Sequence, residues 1–192
     1  MVMQDIEILQ RETLAEKAYR LELIKINQTK KGKTETLERE VYFRPEGATI
    51  LLVDPERKTV LLTKQFRLPV YLKGEKELLL ETCAGIIDEG EIPEQAIVRE
   101  VEEETGYRIS EISRVAEGFM TPASVTEYVY FFVGKYSPEM KVNEGGGKED
   151  EGEDIKLLEI SGSEARDLLL SSKLRDVKTI LLLQHAVIHN LI

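Results

Sequence analysis

Residues 85–107 read GIIDEGEIPEQAIVREVEEETGY, and the rest of the 192-residue chain is organised around them. Glu91 stands six residues after Gly85, and Arg99 and Glu100 follow eight and nine residues after Glu91. On a helix starting near Ile92, Glu100, Glu103 and Glu104 are related by three- and four-residue steps and share one face. Ala96, Ile97 and Val101 take another face, toward a core. Pro93 suits the first turn and Gly106 the stop. Like charges four residues apart repel by a few tenths of a kcal/mol. Such a face is therefore either a solvated acidic surface or a seat for hard divalent cations, which take carboxylate oxygens.

The run fits G-x5-E-x7-R-E-U-x-E-E-x-G-U, with U a bulky apolar residue, at every fixed position. Seven fixed residues at roughly 10% usage each coincide by chance about once in 10⁷ starts. On these residues the chain resembles the Nudix hydrolase family. The resemblance implies an α+β fold, a helix–sheet–helix (α/β/α) sandwich, and metal-dependent hydrolysis of a nucleoside diphosphate linked to another group. It implies that Glu100 and Glu104 are the principal metal carboxylates, with Glu103 adjacent as a catalytic, metal-associated acid. The backbone carbonyl of Ala84, just before Gly85, is a further implied ligand. Glu91 and Arg99 form a charge pair that orients the site. A second acidic element of the family, E-x-E-D-I, is matched by residues 151–155, EGEDI. That match makes Glu151 the general base and Glu153 a metal ligand. The acids around it allow a register slid by two residues, and a plain solvated acidic loop is the bland alternative. The implied cofactor is Mg²⁺, two ions or more, with Mn²⁺ as a substitute.

Within the family the chain is similar to the GDP-mannose pyrophosphatase branch. The similar stretches are REVY at 39–42, GATILL at 47–52, QFR at 65–67, CAG at 83–85, EETGY at 103–107, VTE at 125–127, and RDVKTILLL at 175–183. That likeness implies substrate contacts from Arg39, Glu40, Arg67, Glu127 and Lys178. It also implies cleavage of GDP-mannose to GMP and mannose 1-phosphate by a homodimer whose N-terminal strands reach the partner subunit. Two rival readings stand beside it: an ADP-ribose or ADP-sugar pyrophosphatase, and a non-catalytic nucleotide-sugar sensor. A sensor would not need Glu100, Glu103 and Glu104 together. One departure is local: relatives often carry two glycines before V-T-E, where this chain has Ala123-Ser124. Glycines allow close ligand approach that these two residues restrict.

The net charge of −10 argues against a nucleic-acid surface, which needs a basic stripe. It does not argue against a diphosphate, because metal ions can bridge carboxylates to phosphate oxygens. One cysteine, Cys83, excludes an internal disulfide framework, and its apolar setting suits an inert buried thiol. Asp5 and Glu7 stand where a signal peptide would be cationic and apolar. The apolar segment 180–192 is interrupted and too short to cross a bilayer. These features lead to the expectation of a soluble cytoplasmic protein. His185 and His189, four residues apart, lack a third ligand and suit ordinary helix positions better than zinc.

Residues 1–43 read as a strand meander with little core of its own, an appendage for dimerisation and substrate contacts. Residues 44–192 hold the catalytic domain. There the expected strands are 48–53, 59–66, 78–84, 113–120, 128–133 and 155–160. A mobile Gly-rich acidic loop is expected at 143–154. Ser163 is expected to cap a helix to about Ser171, and a last helix to start near Asp176 and carry Lys178.

Overall fold

The computed structural model describes residues 5–148 and 152–192. The chain forms two compact units: Met1–Glu46 with Gly118–Tyr128, and Gly47–Glu117 with Val129–Ile192. In the first, β1 (Asp5–Glu16), β2 (Arg20–Lys30) and β3 (Lys33–Tyr42) form an antiparallel sheet in that order. Lys31 and Gly32 both adopt positive φ and close the β2–β3 hairpin, the backbone a two-residue turn of this twist needs. Register breaks at Ile8/Gln10 and Thr13/Ala15 interrupt the alternation of β1. Every residue of β1 is exposed, including Ile6, Ile8, Leu9 and Leu14. The segment Gly118–Tyr128, which the sequence reading gave to the catalytic domain, belongs to this unit. Tyr42 N–H donates to the Ser124 carbonyl at 2.8 Å, and Thr126 N–H to the Tyr42 carbonyl at 3.1 Å.

The second unit is built on β4 (Gly47–Asp54), β5 (Thr59–Gln65), β6 (Leu79–Glu81), β7 (Cys83–Ile86), all but the outermost residues of β8 (Ile112–Phe119) and β9 (Tyr128–Lys135), and β10 (Lys156–Ser161). The strands run β10-β5-β4-β9-β8, with β6 on β5 and β7 on β4. The β4–β9 pair is parallel. The helices are α1 (Leu68–Leu72), α2 (Pro93–Thr105), α3 (Gly162–Leu170) and α4 (Val177–Ile188). Side chains of β4 alternate between two layers. Ala48, Ile50 and Leu52 share a cluster with Ile97 and Val101 of α2. Thr49 points the other way, where its hydroxyl lies 2.9 Å from that of Thr82, which is tied to Thr179 of α4. Helices therefore cover both faces, the helix–sheet–helix sandwich expected.

Local chemistry moved several boundaries. The expected strand at 78–84 is two strands, because the chain leaves β5 at Thr82 and joins β4. Thr82 N–H donates to Thr179 Oγ1 at 2.7 Å, a bond that fixes this crossing. Ser161, not Ser163, caps α3. Its hydroxyl accepts from Glu164 N–H at 3.2 Å while Glu164 Oε2 accepts from Ser161 N–H at 2.8 Å. Ser163 has Arg166 three residues on, so it cannot form that reciprocal pair. The short α1 was not anticipated; its residues LPVYL carry no polar face. Ala123 and Ser124 turn the chain at ordinary negative φ, with Ser124 and Val125 N–H both donating to the Thr121 carbonyl.

Candidate active site

Pro93 opens α2, and Gly106 closes it at φ 76° with its N–H on the Glu102 carbonyl. This sets Glu100, Glu103 and Glu104 in successive turns beside β7. Gly85 of β7 lies against Glu100 so closely that a Cβ there would fall 2.0 Å from the carboxyl carbon. No larger residue fits at that point of the signature without displacing Glu100. Ala84, whose carbonyl is the expected ligand, is paired across from Thr49.

Arg99 gathers the acids. Its Nε and Nη2 donate to the two oxygens of Glu91 at 3.0 and 2.9 Å, and its Nη1 to Glu100 at 2.8 Å and Glu103 at 3.2 Å. The forked contact holds the Glu91 carboxyl down at about 2. Glu104 is the opposite case, 3% exposed. Its Oε2 has no hydrogen-bond partner among the described residues. Burial, reinforced by the neighbouring charges of Glu100 and Glu153, pushes its carboxyl up to about 8, against a bond from the Cys83 thiol and the charge of Arg67. Burial likewise raises Glu100, opposed by Arg99. The Cys83 thiol is buried and pushed up by burial and by Glu104, which suits an inert thiol.

The loop expected to be mobile is tied down where it is described. The last carbonyls of a helix need donors. Gly146 N–H meets the Glu104 carbonyl at 2.8 Å and Gly147 N–H the Glu103 carbonyl at 3.2 Å. Gly145, Gly146 and Gly147 all sit at positive φ. The loop brings Glu153 to the site: its Oε2 accepts from Lys148 N–H at 3.0 Å, and Gly147 has no room for a Cβ beside it. Lys148 Nζ lies 3.1 Å from Glu103. Glu151 lies outside the described residues.

As they stand, no three carboxylates, histidines or cysteines among the described residues are grouped to hold an ion; Arg99 and Lys148 pair with several of the acids instead. The donor set nonetheless fits a hard cation. It offers carboxylate oxygens, one of them buried and unpartnered, an arrangement costly to a protein unless something positive meets it.

A second group of charges adjoins this one. Arg67, just after β5, donates from Nε to Glu81 Oε2 at 2.8 Å. Lys178, in the first turn of α4, lies 3.4 Å from the other oxygen of Glu81 and 2.7 Å from Asp176. Asp176 caps α4, accepting from Thr179 N–H at 2.9 Å. Arg67 and Lys178 were expected at the substrate; Glu81 and Asp176 were missed. A single acid in the apolar run LLLETCAG was the available signal, since a buried carboxylate must find partners. In the first unit, Arg39 and Glu40 are exposed on β3. Glu127 is paired there with Arg44 at 3.6 Å, and Arg44 stacks on Tyr19.

Signature, sandwich and acid-lined helix together define the class. The NUDIX domain model matches residues 43–172, and the chain belongs to the Nudix family. It is 41% identical over 191 residues to proteins named GDP-mannose pyrophosphatase from Shigella dysenteriae serotype 1 and Escherichia coli O157:H7, covering 98% of this chain and of each relative. A protein of the same name from Pectobacterium atrosepticum is 46% identical over 151 residues, 78% of this chain and 77% of the relative. Among solved structures, the crystal structure of an ADP compounds hydrolase matches all of both chains with a TM-score of 0.76 at 20% identity, a likeness of fold.

Proposed function

We propose that this chain is a Mg²⁺-dependent pyrophosphohydrolase of nucleoside diphosphate sugars, with GDP-mannose as the preferred substrate and GMP and mannose 1-phosphate as products. The observation that carries the catalytic part is the buried, unpartnered oxygen of Glu104, flanked by the charges of Glu100 and Glu153. Likeness to GDP-mannose pyrophosphatases along nearly the whole chain supports the substrate.

Glu100, Glu104, Glu153 and the Ala84 carbonyl would hold the metal. Magnesium, when bound, supplies Lewis-acid polarisation of a phosphate oxygen and an acidified water. Arg99 keeps Glu91, Glu100 and Glu103 oriented and neutralises part of their mutual repulsion. Glu151 accepts the proton of the attacking water, the task its place in E-x-E-D-I assigns. Arg67 and Lys178 meet the diphosphate, where a guanidinium can fork onto two oxygens. Arg39, Glu40 and Glu127 are the proposed readers of the nucleoside. Glu40 can accept from the donors on guanine's Watson–Crick edge, which a cation cannot. The enzyme acts as a homodimer through residues 1–43, in the cytoplasm; no helix among the described residues is long and apolar enough to cross a membrane.

The test is release of nucleoside monophosphate from nucleotide sugars with and without Mg²⁺, in wild type and Glu104→Gln. We expect the variant to fold and to lose at least ~10²-fold in kcat, the scale of one well-placed electrostatic group. A variant that keeps most of its activity would overturn the assignment.

A further inference from the structure

We propose that Glu81 is a positioning residue for the diphosphate, acting through Arg67 and Lys178; the inference rests on the reading that these two cations meet the substrate. Glu81 ends β6 and is 4% exposed. Arg67 lies 14 positions before it in the chain and Lys178, from α4, 97 positions after it, yet both cations converge on its two oxygens, at 2.8 and 3.4 Å.

Two features say this is more than a structural pair. A buried ion pair is a poor source of stability: an apolar residue of similar volume often serves as well or better. The position lies within LLLETCAG, an apolar run whose other residues supply the packing. Stability therefore does not account for a carboxylate here. The second feature is which nitrogen is used. Arg67 binds Glu81 through Nε, and a guanidinium held that way keeps both terminal NH₂ groups for two oxygens of a phosphate. A point contact on one edge fixes the plane and the direction of the fork. Lys178 is shared between Glu81 and Asp176, so its ammonium is confined to one place rather than swinging on a four-carbon stem.

Location supports the same role. Glu81 is followed by Thr82, whose N–H is locked to Thr179 Oγ1, and then by Cys83, Ala84 and Gly85 of the acid-lined site. The cation pair and the carboxylates are thus set by one short piece of backbone, and Glu81 ties the cations to it. Neutralising Glu81 would leave Lys178 with Asp176 alone and take from Arg67 the carboxylate that anchors it, so the two cations would be free to reorient independently.

The test is a double-mutant cycle on the full-length protein, with Glu81→Gln, Arg67→Ala and the pair. It is read by Mg²⁺-dependent hydrolysis of a nucleotide sugar and, in parallel, by calorimetric affinity for GDP. We expect Glu81→Gln to raise KM about tenfold with kcat changed by less than about threefold, and with the Mg²⁺ dependence unaltered. In the Arg67→Ala background the same substitution should add little, because the group it acts through is gone. Glu81→Asp keeps the charge and draws it back by one methylene; it should raise KM in the same direction should the glutamine variant not fold. Losses that add in the double variant, or an unchanged KM in Glu81→Asp, would overturn the proposal. Wild type without turnover but with an intact cycle in GDP affinity would overturn the functional reading alone. Wild type that binds no GDP would overturn both.

Discussion

Glu104→Gln separates the cost of burying a carboxylate from the use made of it. In the metal-free protein, burial and the neighbouring charges of Glu100 and Glu153 lift this carboxyl from 4.5 to about 8. The folded protein then keeps a proton that the unfolded chain has lost. Stability in a chelator therefore falls as pH rises from 4.5, and the loss is complete above about 8. The shift corresponds to a penalty on the order of 5 kcal/mol at most. Glutamine has no charge to bury. In EDTA the variant should lie close to wild type near about pH 5 and melt well above it beyond about pH 8, by up to roughly 10–20 °C at about 2–4 °C per kcal/mol. Excess Mg²⁺ should stabilise wild type and leave the variant nearly unmoved, because a ligand stabilises only the state that binds it. Thermal unfolding across this pH range, with EDTA and with Mg²⁺, reads all of this; the difference between the proteins isolates one group from the rest of the titration. A difference that is flat with pH in EDTA, or equal stabilisation of both proteins by Mg²⁺, would refute the reasoning.

Three further outcomes are expected. Gly85→Ala should weaken Mg²⁺ activation and activity together, because its Cβ would fall 2.0 Å from the Glu100 carboxyl carbon; Mg²⁺ titrations of the variant check this. Glu151→Gln should lower kcat by ~10²–10⁴-fold with metal affinity kept, whereas Glu153→Gln should weaken metal binding as well; exchanged phenotypes would shift the loop register by two. Light scattering of the intact chain at micromolar concentration should give a dimer, since β1 leaves Ile6, Ile8, Leu9 and Leu14 exposed, and removal of residues 1–43 should cost substrate affinity and the dimer together.

The sequence was most readable where chemistry repeats at fixed spacing. Pro93, Gly106 and the three glutamates specified α2 and its acidic face, because helical period and stop signals are local properties. The alternation of β2 and β3 was local too. What escaped depended on distant partners. Nothing near residue 81 in the chain announces Lys178, and the split of one apolar run into β6 and β7 depends on a hydroxyl from α4. The glycines at 145–147 looked like a loop without anchorage; their anchors are the orphan carbonyls at the end of α2, visible only once the helix end is placed. Gly118–Tyr128 joined the first unit through backbone bonds to Tyr42, which carry no side-chain signature.

The most direct measurement compares GDP-mannose with ADP-ribose on the purified protein, with and without saturating Mg²⁺. The metal site is common to both substrates, so the comparison isolates the periphery. We expect GMP and mannose 1-phosphate to form only with the metal, and kcat/KM for GDP-mannose to exceed that for ADP-ribose by at least ~10-fold, or ~1.4 kcal/mol of transition-state binding. Equal or reversed values would move the enzyme to ADP-sugars, and metal-independent turnover would contradict the site itself.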